Sequence, residues 1–179
     1  MLLKELTEKN GVSGNEHEVR EFIKKEAEKL NTEIRTDSAG NLIVLKKGRN
    51  PRYKVMLSAH MDEVGFIVTG YGEYGTIKFS PVGGIDPRIL LGKKVVVGEK
   101  KIPGVIGCKP VHMQDRDERG SNVKINNMYI DIGAEKKEEA EKLAPLGEYI
   151  AFSAEYVEFG EDRIKAKALD DRAGCAVLL

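Results

Sequence analysis

The sequence predicts an α/β fold with a small β-barrel inserted into it. Three observations carry this reading. The stretch "SGNEHEVREFIKKEAEKL" sets Val19, Phe22, Ile23, Ala27 and Leu30 on one face of a helix. "YKVMLSAH", residues 53 to 60, is apolar on both faces of an extended chain, the pattern of a strand inside a sheet covered by helices. After Gly65 the texture changes to short β-branched runs divided by glycine, which reads as a barrel or sandwich. The expected division is residues 1–65 plus 166–179 in the α/β part and 66–165 in the inserted β part.

The elements follow in order. Residues 1 to 30 read as helical, with Ser13 and Glu16 at capping-box spacing. His17 lies off the apolar stripe and reads as a solvated surface histidine. In "TEIRTDSAGNLIVLKKG" two β-like runs flank Ser38–Asn41, a hairpin, and "YKVMLSAH" follows as a central strand. The β-rich region runs from "FIVTGYG" through "GTIKFSPVGG", "KKVVVG", "KIPGVIG" and "NNMYIDIG" to "DRIKAKALD", and only residues 134 to 144 look helical within it. "GYGEYG", Gly70 to Gly75, fits G-x-G-x-x-G. A dinucleotide fingerprint must open a helix, and strand-like "TIKFS" comes next, so this is a hairpin turn. "KALDDRAGCAVLL" closes the chain with a helix beginning after Asp171 and no C-cap signal.

Composition narrows the classes. With 29 basic and 29 acidic residues the net charge is zero, and no Lys/Arg block or basic tail offers a nucleic-acid footprint. No apolar run approaches the ~20 residues of a membrane span, and charges interrupt the N-terminal stretch where a signal peptide needs apolar residues. Cys108 and Cys175 lack framework spacing, which reads as a reduced, cytoplasmic protein.

The chemistry concentrates in two places. "LSAHMDEVGFIV" carries His60 and Asp62 within an apolar run, and buried charge is costly unless it is paired or binds a metal. Residues i and i+2 of a strand share a face, so the two side chains point the same way. A metal-bound histidine commonly donates its other ring N–H to a carboxylate, so His-x-Asp can supply a ligand and its orienter. A structural His–Asp pair at a strand end accounts for the same spacing. The acidic pair in "LDDRAG" has a plain reading too, since the helix dipole favours carboxylates at helix starts.

"AHMDEVG" and "KALDDRAG", separated by a β-rich region of about a hundred residues, closely resemble the motifs of the tetrahedral (TET-type) aminopeptidases. "GVSGNE", "DSAGNLI", "VGGIDPRILLGKKV", "GVIG" and "MYIDIGA" match in the same order, so the resemblance covers the whole chain. These are dinuclear metallopeptidases often labelled endoglucanases or cellulases. The resemblance implies a zinc-exopeptidase-like α/β layer, present here in part, with an inserted β-barrel dimerisation domain. It implies two divalent ions, Zn or Co, acting on N-terminal residues of short peptides, and a homo-oligomer built through the barrel. It implies that His60 binds one metal, that Asp62 orients His60, that Asp170 bridges both metals, and that the Asp170–Asp171 peptide bond is cis. Family members are about twice this long. Their further half carries a Glu-Glu pair, an Asp and a His, so the general base and the remaining ligands are expected outside these 179 residues, and this chain alone is expected to be inactive. The family usually has a further proline before the histidine after "GVIG"; here the stretch is "GCKPVH", and no role is carried to His112. Two other readings stand beside this one: a non-catalytic self-association fragment, and a glycoside hydrolase.

Overall fold

The computed structural model describes residues 1–30, 32–50, 52–110, 113 and 120–179; His112 lies outside them. In chain order the elements begin with α1 (Leu2–Glu8), α2 (His17–Glu28), β1 (Glu33–Thr36) and β2 (Leu42–Leu45). Next come β3 (Gly65–Tyr71), β4 (Ile77–Val82), β5 (Lys94–Val97), β6 (Ile102–Cys108) and β7 (Met128–Asp131). The last are α3 (Lys137–Leu143), β8 (Tyr149–Phe152), β9 (Val157–Phe159), β10 (Arg163–Lys165) and α4 (Leu169–Leu178). The chain divides into two compact units, Met1–Glu63 with Glu155–Leu179, and Val64–Ala154.

In the first unit the apolar stripe of α2 is buried as its spacing predicts from Val19 to Ala27, while Leu30, read onto the same stripe, lies past the helix end and is 44% exposed. Val19 is fully buried with Leu6 and Cys175, and Phe22, Ile23, Ala59 and Met61 pack around them. β1 and β2 pair antiparallel from Glu33↔Leu45 to Thr36↔Leu42. Asp37 closes their turn: its carboxylate accepts from the backbone of Ala39 at 3.0 Å and of Asn41 at 2.9 Å. These hydrogen bonds, that from the Asn41 side chain foremost, hold the Asp37 carboxyl below its ordinary pKa. His17 is an exposed histidine whose Nδ1 sits 2.9 Å from Asn15 Oδ1, as read from the sequence.

Three further local expectations fail. The helical reading of residues 1 to 30 is broken at 9–16, which join α1 to α2 without helix. Ser13 and Glu16 form no capping box: α2 has no side-chain cap, the Ser13 hydroxyl donates to Asp62, and Glu16 Oε1 accepts from Gly14 N at 2.5 Å. Residues 53 to 62 form neither strand nor helix, and Val55 is 83% and Leu57 70% exposed. A strand is made by its neighbours, because its backbone N–H and C=O groups need partners. Among the described residues no strand lies beside this ribbon; the chain first pairs at Glu63, through a parallel bridge to Val12.

The second unit is a closed barrel of order β3-β4-β7-β6-β5-β8. Alternate residues point inward, as a period of two requires. Phe66, Val68, Ile77, Phe79, Val95, Val97, Ile106, Ile130 and Ile150 form its core. Phe66 meets Phe79 edge-on at 4.9 Å between ring centroids, an arrangement the ring quadrupoles favour. The "GYGEYG" stretch joins β3 to β4 as a turn, with Gly72 N donating to Thr76 O at 2.8 Å and Gly75 at φ +72°. The short α3 is the helix read at residues 134 to 144. The hairpin β9–β10 resembles the barrel strands in composition, yet its strands pair only with each other and it falls in the first unit. The barrel unit therefore ends at Ala154, short of the residue 165 that texture suggested.

Candidate metal centre

The apolar ribbon delivers His60 to the start of α4. Its Nδ1 lies 2.9 Å from Asp62 Oδ1 and its Nε2 lies 3.0 Å from Asp170 Oδ1. The three residues named from the sequence are thus one cluster, joined through the imidazole. The second oxygen of Asp62 accepts from the Ser13 hydroxyl. Asp170 and Asp171 interrupt the first turn of α4 with non-helical backbone, and the bond between them is cis, as the resemblance implied. The Asp170 side chain is 95% exposed, while the Asp171 carboxylate turns inward and accepts from Gly174 N at 3.0 Å.

Beneath this surface lies a buried ionic cluster. The Arg172 guanidinium is fully buried and donates to the carbonyls of Leu6 at 2.5 Å, Lys9 at 3.2 Å and Met61 at 2.9 Å. Among the described residues its Nη2 has no hydrogen-bond partner, and it faces Glu63 Oε1 at 3.5 Å, an ion-pair distance. The same Glu63 oxygen accepts from Lys167 Nζ at 2.6 Å and from Gly11 N at 3.0 Å. Lys167 donates further to the Lys9 carbonyl at 2.6 Å. Met61 stands between His60 and Asp62, and Arg172 stands two residues after Asp170. The guanidinium therefore ties the segment that carries His60 to the helix that carries Asp170.

The surroundings set the charges. Burial pulls the His60 pKa down, but hydrogen bonds and charge from Asp170 and Asp62 outweigh it, and the net shift is upward. The Ser13 hydroxyl, before any other cause, holds the Asp62 carboxyl below its ordinary range. Burial lowers the Lys167 pKa and raises that of the Cys175 thiol, which lies 3.3 Å from the His60 carbonyl. Ser13, Lys167 and Arg172 escaped the sequence reading, because each acts on a partner more than 40 positions away.

A mixed α/β chain with a closed six-stranded barrel has the architecture of the TET aminopeptidases. Comparison with known proteins agrees. The M42 glutamyl aminopeptidase profile matches residues 40–179, and a second profile, AMPT, matches residues 1–22. A lysyl aminopeptidase of Pyrococcus furiosus is 32% identical, with 96% of this chain aligned to 50% of that protein. A structure described as an endoglucanase of Thermotoga maritima superposes with TM-score 0.86 at 46% identity, over 99% of this chain and 52% of that one. The TET1 peptidase of Pyrococcus horikoshii, described as assembling into a tetrahedron or a large octahedral shell, superposes with TM-score 0.84 at 38% identity, over 98% of this chain and 53% of that one. The chain belongs to the M42 glutamyl aminopeptidase family. It spans about half the length of the curated relatives it matches.

The M42 family are metallopeptidases, which implies divalent metal ions. The donors present fit part of such a site. His60 Nδ1 is taken by Asp62, so Nε2 is the nitrogen available to an ion, and it faces Asp170 Oδ1 at 3.0 Å. Two tetrahedral donors each ~2.0–2.2 Å from one zinc stand about 3.3–3.6 Å apart, so this hydrogen-bonded pair would open slightly to admit an ion. Among the described residues no group of three or more His, Cys, Asp and Glu side chains is arranged to hold an ion.

Proposed function

We propose that this chain supplies part of the catalytic layer and the assembly domain of a cytoplasmic, dinuclear, metal-dependent aminopeptidase acting on N-terminal residues of short peptides. The observation that carries the proposal is the His60 imidazole, oriented at Nδ1 by Asp62 and facing Asp170 with Nε2. In this reading His60 and Asp170 would hold the metal, and Asp62 is the positioning residue that accepts the hydrogen bond of the His60 Nδ1–H. Zinc or cobalt held there would supply Lewis acidity toward water and the peptide carbonyl. The exposed Asp170 carboxylate is open to a second cation on its outer side, and the buried Arg172 and Lys167 keep the supporting backbone fixed. The residue that moves the proton from water to the leaving amine is assigned to polypeptide beyond these 179 residues, as are the further ligands. The barrel unit is assigned the homo-oligomeric contact.

Metal titration tests this reading. Zinc should bind the chain in a competition assay, and His60→Ala and Asp170→Asn should each weaken binding at least tenfold. Equal affinity in both variants would overturn the assignment. An absence of zinc binding by the wild-type chain would favour the non-catalytic assembly role. The chain alone, given zinc or cobalt and a panel of aminoacyl chromogenic substrates, should show no turnover, because a catalytic zinc normally takes three protein ligands plus water. A glycosidase needs two carboxyl groups flanking a sugar. Here Asp62 and Asp170 are each engaged with His60, and no release of sugar from soluble cellulose is expected.

A further inference from the structure

We propose that Ser13 is a positioning residue of this centre: its hydroxyl fixes the Asp62 carboxylate in the orientation that accepts a hydrogen bond from the Nδ1–H of His60, so that Nε2 is kept for the metal side. The proposal deepens the metal-centre reading and rests on it.

A carboxylate has two oxygens and a soft terminal torsion, so one hydrogen bond leaves it free to swing. Asp62 has a bond on each oxygen, His60 Nδ1 at 2.9 Å on Oδ1 and the Ser13 hydroxyl on Oδ2. Together these define the carboxylate plane. The hydroxyl is itself held in place. Ser13 N donates to Glu63 O at 3.1 Å, and Glu63 N donates to Gly11 O at 2.8 Å, so residues 11 to 13 run hydrogen-bonded along the segment that contains Asp62. Ser13 and the carboxylate it orients are thus joined through backbone as well as side chain.

Ser13 is not spent on the helix that follows it. Its spacing to Glu16 is that of a capping box, but the N-cap position of α2 is Glu16 itself, so Ser13 stands upstream of the helix with its hydroxyl free for another acceptor. Helix α2 has no side-chain cap, and the hydroxyl is directed 49 positions along the chain to Asp62 instead. The His60 side chain is 55% exposed, so without a fixed carboxylate the ring would be open to water.

The test compares Ser13→Ala and Ser13→Thr in the 179-residue chain carrying Val55→Lys and Leu57→Lys, which blunt its exposed apolar ribbon and leave the Ser13–Asp62–His60 contacts in place; this background is the wild type of the comparison. The first readout is the ¹H–¹⁵N resonance of the His60 Nδ1–H in metal-free protein. It should be shifted downfield and protected from exchange in the wild type and in Ser13→Thr, and lost to exchange in Ser13→Ala, while the backbone amide spectrum stays that of a folded chain. The second readout is zinc affinity, expected to fall about tenfold in Ser13→Ala, as for loss of an outer partner of a metal-bound histidine, and to return in Ser13→Thr. A Ser13→Ala protein that keeps the protected resonance would overturn the proposal, as would a Ser13→Thr protein that restores neither readout. If the wild-type chain takes up no zinc, the metal reading falls alone, and the resonance still decides for or against Ser13.

Discussion

Glu63 is the carboxylate on which Lys167, Arg172 and the Gly11 amide converge, with its side chain 4% exposed. Neutralising it leaves two cations facing each other out of water. Glu63→Gln should therefore destabilise the first unit by about 3–5 kcal/mol, the cost of breaking a buried pair from one side, and urea unfolding monitored within that unit measures it. At the surface of the barrel unit, Asp86 shows the opposite regime. The Arg88 side chain and backbone amide hold its carboxyl at a pKa of about 2. That value lies below the ordinary ~3.9 of an unfolded chain, so the contribution is fully present above pH ~4 and is lost as pH falls through about 2. A carboxyl NMR titration should place the Asp86 midpoint near 2, and Asp86→Asn should close the gap to wild type only in strong acid. At this scale the sequence was readable where chemistry is local. His60 and Asp62 stand two apart, and an i, i+2 pair is visible in any extended chain. Lys167 and Arg172 read as ordinary cations, since their carbonyl acceptors at Leu6 and Lys9 lie more than 150 positions away.

Gly11 shows why the entry to α2 is built as it is. A Cβ there would stand 2.7 Å from Val19 Cγ2 and 2.8 Å from Arg172 Nη2, and neither neighbour can yield, one being core and the other a buried guanidinium. Gly11→Ala should cost about 1–3 kcal/mol by overpacking, read as a lower urea midpoint with an unchanged slope. In the barrel the vulnerable element is β3, where Phe66 is fully buried and meets both Phe79 and Phe152. Phe66→Ala should cost about 3–5 kcal/mol. Elements with a strong internal period were legible: the α2 stripe, the β1–β2 hairpin around Asp37, and the alternating barrel strands. Two things were not. Capping-box spacing at Ser13 assumes a helix starting at residue 14, whereas α2 starts at His17 and the Ser13 hydroxyl goes to the distant Asp62 carboxylate. The apolar run at 53–60 specifies burial, not a strand, and burial is completed only by neighbours the described residues do not provide.

That ribbon governs how the whole molecule should behave in solution. Tyr53, Val55, Met56 and Leu57 are 79, 83, 89 and 70% exposed, successive large apolar side chains along a backbone with no paired strand beside it. Exposed apolar surface next to unpaired backbone is a template for edge-to-edge association. The zero net charge adds no long-range repulsion to oppose it. The 179-residue chain should therefore form large assemblies whose size grows with concentration, as read by light scattering behind a sizing column. Val55→Lys with Leu57→Lys places two cations on the ribbon while leaving the barrel core untouched. This double variant should run as a small oligomer of one size, held by the barrel unit, and that size should not change with concentration. A double variant that still grows with concentration would show that the ribbon is not the adhesive surface. One that runs as a monomer would remove the assembly role proposed for the barrel and leave the ribbon as the source of self-association.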